Sequence, residues 1–557
     1  MKRDLPWSAM PWLVLPLVAF VAVVFRQPLA IDETRYLAVA WDMFREGQWL
    51  VPHLNGETYA HKPPLLFWLL MIGWKVLGVG DAWTRLLPVL LSGLSLLLVY
   101  RLAGRLWPGV EGVGRFAAVI VGGTLWWAAF QNLVMFDLLL TCCVLVSLNG
   151  LADAQDPQAG WRPWAWVSAG IGLSILAKGP VALLHILPLA LAAPWWSEAA
   201  RRQGGGWYLR LLGAVAVGLA IALAWVIPAV LVGGDAYAHN LLWDQTAHRV
   251  ATSFAHQRPW WWYLPLLPAL GLPWFIWPPA WRAAREALAM PGGARFCLAW
   301  AVPAFLAFCA VSGKQPHYLL PLLPAPALLV ARGLATSQRM SYRRDRLLVV
   351  MPAALLAAVA SLELALNYWP MGTGGTVLEE WAHWFAEIHP GWIAALWALI
   401  GWAALPFRRP LIEGAARLQA AMMVSLAIIA AAGTSTPAGR AYAVAGMAAE
   451  IAALQQAGRS SAYWGQYHGQ LQYVGRLRQP LRELWDAGEL QAFAREQPEG
   501  LVLVDSRENP LTAGVGVPFM VVPYRTGFWS LWTPARLAES PELLNRIAAR
   551  RPHRSIE

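Results

Sequence analysis

Apolar runs of about the length needed to cross a bilayer, ~20 residues, recur along the chain between short polar connections. Read this way, the sequence predicts about thirteen spans, near 8–27, 83–103, 114–131, 136–152, 164–178, 180–196, 209–232, 260–280, 295–312, 316–332, 347–366, 391–406 and 418–434. The first run lacks a small-residue cleavage site and reads as a retained span. Beyond about residue 434 the apolar runs shorten and polar residues alternate with apolar ones. Ser461–Gly465, Leu501–Asp505 and Pro518–Val522 read there as strands. Residues 441–456 and 480–496 read as helices, the second amphipathic. The fold class expected is a polytopic α-helical membrane protein over residues 1–434, followed by a small soluble α/β domain over 435–557. No Gly-rich phosphate loop follows a strand in that domain, and no internal repeat is evident.

Composition narrows the picture. The 557 residues are 58% hydrophobic and 13% charged, and mean hydropathy is +0.45. A soluble globular chain carries nearer ~25% charged residues, so one large soluble enzyme, a coiled coil and a disordered chain are all excluded. The net charge of +11 would suggest nucleic acid only on one face of a soluble domain. Here Lys and Arg lie in short loops, so no nucleic-acid partner is expected. The 35 Trp suit the membrane–water interface. Cys142, Cys143, Cys297 and Cys309 lie inside apolar runs, without metal-ligand spacing, and read as packing residues.

The basic residues also orient the chain. Lys2 and Arg3, then Arg101, Arg105 and Arg115, Arg201, Arg202 and Arg210, and Arg282, Arg285 and Arg295 fall in alternate loops. The positive-inside rule makes that side the cytoplasm of a bacterial inner membrane, with a cytoplasmic N-terminus. The loops 28–82 and 233–259 and the C-terminal domain are then periplasmic. That outer side carries isolated charges at span ends: Asp32, Glu33, Lys62, Asp137, Lys178, Arg249 and Lys314. Ionisable groups at membrane depth are costly and usually functional. A shared polar cavity just outside the bilayer accounts for all of them together.

The first outer loop, about 28–82, carries the densest pattern. Asp32-Glu33-Thr34-Arg35-Tyr36 opens an amphipathic stretch that suits an interfacial helix, with both acids at its N-terminus. Gly47-Gln48-Trp49-Leu50-Val51-Pro52-His53-Leu54-Asn55-Gly56 follows, then Tyr59-Ala60-His61-Lys62-Pro63-Pro64. These strings resemble the bacterial lipid A aminoarabinose transferases, members of the GT-C class of membrane glycosyltransferases that includes the protein O-mannosyltransferases. Phe136-Asp137, Ala177-Lys178-Gly179-Pro180, Arg249, His256 to Trp260 and Ser312 to Pro321 extend the resemblance over about residues 1–330.

The resemblance implies a GT-C-like fold and a polyprenyl-phosphate sugar donor used at the periplasmic face. The implied acceptor is lipid A or another envelope glycan or protein, with membrane lipid around it. Family members carry a Glu before Lys-Pro-Pro, proposed to bind a divalent metal. His61 stands there instead, and imidazole is a good zinc ligand; zinc or magnesium is therefore a candidate cofactor.

The chemistry distributes roles among these residues. The leaving phosphate gains charge and needs fixed cations, for which Lys62, Arg249, Lys178 and Lys314 are candidates, with Tyr318 and Tyr59 as hydroxyl donors. Asp32 is the expected base for a hydroxyl acceptor, with Glu33 and Asp137 as further catalytic carboxylates. Direct attack inverts the anomeric centre. A protein O-mannosyltransferase-like enzyme and a transporter of lipid-linked sugars are the competing functions. The transporter is disfavoured by the lack of related halves and by charges at span ends instead of the midplane.

Overall fold

The computed structural model describes residues 27–243, 257–336, 390–403, 436–511 and 517–539, with isolated helical positions between 354 and 433. The spans expected near 8–27 and 347–366, most of that near 418–434, and Arg249 lie outside the described residues. These residues divide into two compact units. The first draws on Ala60–Leu362 and Pro390–Ala430, the second on Phe25–Tyr59 and Ala431–Glu557. The first outer loop is thus divided after Tyr59, where the sequence pattern suggests a single boundary near 434.

The first unit is a bundle of apolar helices. Asp81–Leu106, Phe136–Asp153, Gly205–Trp243 and Gly293–Ala310 are each long and apolar enough to cross a membrane. Pro316–Leu322 and Pro324–Thr336, bent by 45°, make a fifth if taken as one broken span. Prolines explain why other expected spans are interrupted, because each lacks a backbone N–H and fixes φ. The stretch 260–280 carries Pro265, Pro268, Pro273 and Pro278 and becomes a series of short turns, Trp260–Leu266, Leu267–Leu270 and Trp274–Ile276. The span expected at 114–131 divides into Val113–Gly122 and Leu125–Phe130 around Gly123 and Thr124. Leu65–Leu77, inside the expected outer loop, is a 13-residue apolar helix.

Small residues set the tightest crossings, as is usual where lipid removes the hydrophobic drive between helices. Phe136–Asp153 packs antiparallel to Arg162–Lys178. A Cβ at Gly170 would lie 2.3 Å from Ser147 Oγ, and one at Gly150 would lie 2.7 Å from the Pro163 carbonyl oxygen. Gly172 and Gly218 give the same closeness between Arg162–Lys178 and Gly205–His239. Buried side chains tie further helices to one another: Asn149 Nδ2 donates to Leu98 O at 3.1 Å, and Trp127 Nε1 to Ser92 Oγ at 2.9 Å. Only 22% of the apolar window in Gly205–Trp243 is buried, which leaves the rest to face lipid.

The second unit is α/β. Asp32–Glu46 is a helix that stops at Gly47, where φ is +66°. A two-residue hairpin follows, β1 (His53–Leu54) and β2 (Glu57–Thr58), turned by Asn55 and Gly56, both at positive φ. That Asn-Gly pair is the favoured turn for twisted strands. A five-stranded sheet comprises β3 (Ser461–Trp464), β4 (Arg482–Leu484), β5 (Leu501–Ser506), β6 (Met520–Tyr524) and β7 (Gly527–Trp532), in the order β4-β3-β5-β7-β6. β3 pairs in parallel with β4 and β5, while β7 runs antiparallel to β5 and β6.

β5 reads as an unbroken apolar run because both faces are covered. Leu501 and Leu503 pack with Met447 and Ile451 of the helix Ala445–Gln456. Val502 and Val504 pack with Leu490 and Phe493 of the helix Ala487–Glu496. The helix expected over 480–496 therefore starts later, and its first residues are β4. Asp486 Oδ1 accepts Glu489 N at 2.8 Å, and Glu489 Oε2 accepts Trp485 N at 2.7 Å. This reciprocal cap fixes the start of the helix. β7 lies beyond the last strand that the sequence pattern predicts.

Candidate active site

Antiparallel packing of Phe136–Asp153 and Arg162–Lys178 brings the start of one helix beside the end of the other. Asp137 sits in the first turn and Lys178 is the last residue of its helix. Each charge is placed where its own helix dipole favours it. Lys178 Nζ donates to Asp137 Oδ1, and the two side chains are 11% and 2% exposed. Gly179, at φ +79°, ends the helix and releases the chain toward Pro180.

The turn Pro316–Leu322 completes the arrangement. The Lys178 ammonium lies 4.4 Å from the centre of the Tyr318 ring, a cation–π contact. His317 stands edge-on to Tyr318, ring centres 4.8 Å apart, and faces Phe130 at 5.8 Å. Lys62 and His317 both act electrostatically on Asp137, together with Lys178. Among the described residues, two lysines and a histidine thus act on one buried carboxylate. Lysine ammonium groups in such a grouping have the chemistry to meet an anion.

Lys314 is placed otherwise. Its side chain is buried, and Nζ donates to the carbonyls of Arg258, at 3.1 Å, and Val311. Arg258 N bonds Ser312 O at 3.1 Å, and Gln257 pairs with Gly313. Lys314 therefore fastens the 257–258 segment to the 311–314 turn. Tyr263 OH adds a bond to Gln315 O at 3.1 Å.

In the second unit, Asp32 is exposed at the start of its helix. Glu33 is buried, and Oε2 accepts the Leu29 N–H at 2.9 Å, so it orders the chain entering the helix. Tyr59 is buried, and its backbone N–H bonds Pro52 O at 2.7 Å. His61, in the first unit, is half-buried. Among the described residues no three His, Cys, Asp or Glu side chains group as a metal-ligand set.

Two groups escaped the sequence reading as site residues. His317 lies inside a quoted motif, one residue before Tyr318, and that adjacency was the available signal. His185 is fully buried beside Phe308, ring centres 5.4 Å apart. An isolated His in an apolar run gives no such signal.

Comparison with known proteins bears on the fold and the family. Residues 61–231 match the family described as dolichyl-phosphate-mannose-protein mannosyltransferase. The structure of ArnT from Cupriavidus metallidurans bound to undecaprenyl phosphate aligns with a TM-score of 0.72 at 22% identity, covering 94% of this chain and 97% of that one. An undecaprenyl phosphate-α-4-amino-4-deoxy-L-arabinose arabinosyl transferase of Pseudomonas fluorescens is 34% identical over 56% of this chain and 57% of its own length. A counterpart from Pseudomonas paraeruginosa is 33% identical over 65% of this chain and 67% of its own length. The matched stretch thus spans little more than half of the first relative and two thirds of the second.

Fold and helix-end cluster together define a polytopic helical membrane protein with the ArnT architecture. By its sequence relatives, the chain belongs to the undecaprenyl phosphate-α-4-amino-4-deoxy-L-arabinose arabinosyl transferase family.

Proposed function

We propose that this protein is an inverting glycosyltransferase at the periplasmic face of the bacterial inner membrane. It moves an aminoarabinose-type sugar from undecaprenyl phosphate to lipid A or a related envelope acceptor. The observation that carries the reading is the cationic cluster of Lys62, Lys178 and His317 around Asp137, roofed by Tyr318. Family membership supports the donor, since the relatives are named for it.

In the reaction an acceptor oxygen forms a bond to the anomeric carbon as the bond from that carbon to the phosphate oxygen breaks. The bonding pair leaves with the phosphate, whose charge rises. Lys62 and Lys178 meet that charge, with Arg249 as a further candidate cation, and preorganised cations are worth most at such a point. Asp137 holds the Lys178 ammonium in place, and the Tyr318 ring packs against it. Lys314 holds the turn that leads to Tyr318, and Glu33 orders the chain entering the Asp32 helix. A hydroxyl acceptor gives its proton to Asp32. A phosphate acceptor is already ionised, and Asp32 then orients it. Tyr59 and His61 precede Lys62 closely in sequence, Tyr59 as a further hydroxyl donor.

The test uses full-length protein in lipid nanodiscs, with an undecaprenyl-phosphate-linked aminoarabinose donor and lipid A, and mass spectrometry of the product. Asp32→Asn is expected to abolish transfer and Lys62→Ala to lower it by about 100-fold to 1000-fold, both inserting normally. Unchanged transfer in both overturns the reading. Movement of donor across sealed vesicles without any transfer product favours the transporter alternative.

A further inference from the structure

The helix that carries Asp32 is gripped by the C-terminal part of its own unit. Asn55, at the hairpin turn, meets the backbone of Leu481 in both directions. Its Nδ2 donates to Leu481 O at 2.8 Å, and its Oδ1 accepts Leu481 N at 2.8 Å. The same Oδ1 accepts Gln472 Nε2 at 3.2 Å. Gln472 Oε1 in turn accepts the Tyr467 hydroxyl at 3.1 Å, and that hydroxyl accepts Leu471 N at 2.8 Å. On the other side, the Asn55 N–H donates to Asp42 Oδ2 at 2.8 Å, and Asp42 lies on the helix itself. An asparagine amide used in this way imitates a strand neighbour, matching one donor and one acceptor of the chain opposite it.

A second grip lies one residue before Asp42. Trp41 Nε1 donates to Leu477 O at 2.9 Å, and the Arg476 guanidinium lies 5.8 Å from the Trp41 ring and 3.8 Å from that of Tyr473. Close packing completes the joint. A Cβ at Gly469 would lie 2.5 Å from Leu54 Cδ1 and 2.8 Å from Ala38 Cβ. Gln472, Tyr467 and Asp42 are all buried, so these bonds are made away from competing water. Asp32 lies ten residues up the same helix, about 15 Å along its axis. A small rotation at the joint therefore displaces Asp32.

We infer that Asn55 is a positioning residue, through which the C-terminal α/β fold serves as the mount that sets the catalytic Asp32 helix. The C-terminal region is then part of the catalytic apparatus. This inference rests on the reading of Asp32 as the acceptor-side carboxylate. It differs from a purely structural role in what it does to the kinetics, because the anion cluster around Asp137 belongs to the other unit. Loss of the Asn55 clamp is expected to lower kcat and leave donor recognition alone.

The decisive variant is Asn55→Gly, which keeps the positive φ of the turn (Asn55 is at +55°) and removes only the amide. In the nanodisc assay, kcat per folded enzyme is expected to fall about 100-fold, the scale of a misplacement of roughly 1 Å. KM for the undecaprenyl-phosphate-linked donor and binding of undecaprenyl phosphate itself are expected to stay at the wild-type value. A wild-type kcat, or a loss of donor binding in parallel with kcat, overturns the inference. If Asn55→Gly does not accumulate, Trp41→Phe removes the second clamp bond and is expected to lower kcat at constant donor KM. An unchanged kcat there overturns it equally. Asp32→Asn in the same assay separates the two readings. Full activity in Asp32→Asn refutes the role of Asp32, whereas an inactive Asp32→Asn beside a fully active Asn55→Gly refutes the mount alone.

Discussion

Lys178, the last residue of one helix, donates its ammonium to Asp137, in the first turn of the helix packed antiparallel to it. Both side chains are nearly closed to solvent. In such a place an ion pair contributes little net stability, but removing one partner strands the other charge at a cost of about 3–5 kcal/mol. Lys178→Met and Asp137→Leu are each expected to lower the unfolding free energy by that amount. The double variant should recover part of the loss, since no charge is then unpaired. Thermal unfolding of the four proteins in detergent gives the coupling energy. Additive losses would show that the two groups do not act as a pair.

Lys62 acts on Asp137 across the same cluster. If its ammonium meets the departing phosphate, its contribution appears in the transition state. Lys62→Ala is expected to lower kcat by about 100-fold to 1000-fold, the range seen when one charge-stabilising donor is removed. Lys62→Arg keeps the charge and is expected to retain much more activity. Equal rates for Lys62→Ala and wild type would remove Lys62 from the cluster.

Much of this arrangement is legible in the sequence. Asp137, Lys178 and Tyr318 are singled out as charges or hydroxyls beside long apolar runs; the antiparallel crossing brings the first two together, and the turn Pro316–Leu322 adds Tyr318. The helix starting at Asp32 and the strands Ser461–Trp464 and Leu501–Ser506 also follow from periodicity. What periodicity does not carry is contact between distant segments. Asn55 stands in the sequence only as part of the string Gly47 to Gly56, and its bonds to Leu481 and Gln472 join residues more than 400 positions apart. Lys314 looks in sequence like any outward cation, and only its neighbours decide that its ammonium meets backbone carbonyls. β4 was hidden because its three residues run directly into the Asp486 cap.

Asp42 supplies a pH dependence. Its side chain is buried, and burial pushes its carboxyl up to about 7 from an ordinary 3.8, against the opposing pull of the Asn55 N–H and of Arg45. Glu46 adds to the upward push. Between about pH 4 and pH 7 the folded protein holds a proton that the unfolded chain has released. Stability therefore falls as pH rises through that window, by at most about 4 kcal/mol for a shift of this size, and levels off above it. Asp42→Asn is expected to flatten this dependence, raising the melting temperature at pH 8 and leaving it unchanged at pH 4. An identical slope in wild type and variant would exclude Asp42 as its source.

Gly170 tests the packing that brings Asp137 to Lys178. The helix Arg162–Lys178 lies so close to Phe136–Asp153 that a Cβ at Gly170 would stand 2.3 Å from Ser147 Oγ, 2.6 Å from Ser147 N and 2.8 Å from Cys143 O. Two of these are backbone atoms, which no rotamer change can move aside. Gly170→Ala must then push the helices apart, at a cost of about 1–3 kcal/mol. Separation also breaks the bond from Ser147 Oγ to Val167 O, 3.0 Å long. Because Lys178 is two turns further along the same helix, the displacement reaches the ion pair. Gly170→Ala is expected to lower both the melting temperature and kcat. Gly213→Ala, at a site with open space around it, is expected to leave both at the wild-type value. Equal behaviour of the two alanine variants would show that the crossing at Gly170 does not set the Asp137–Lys178 pair.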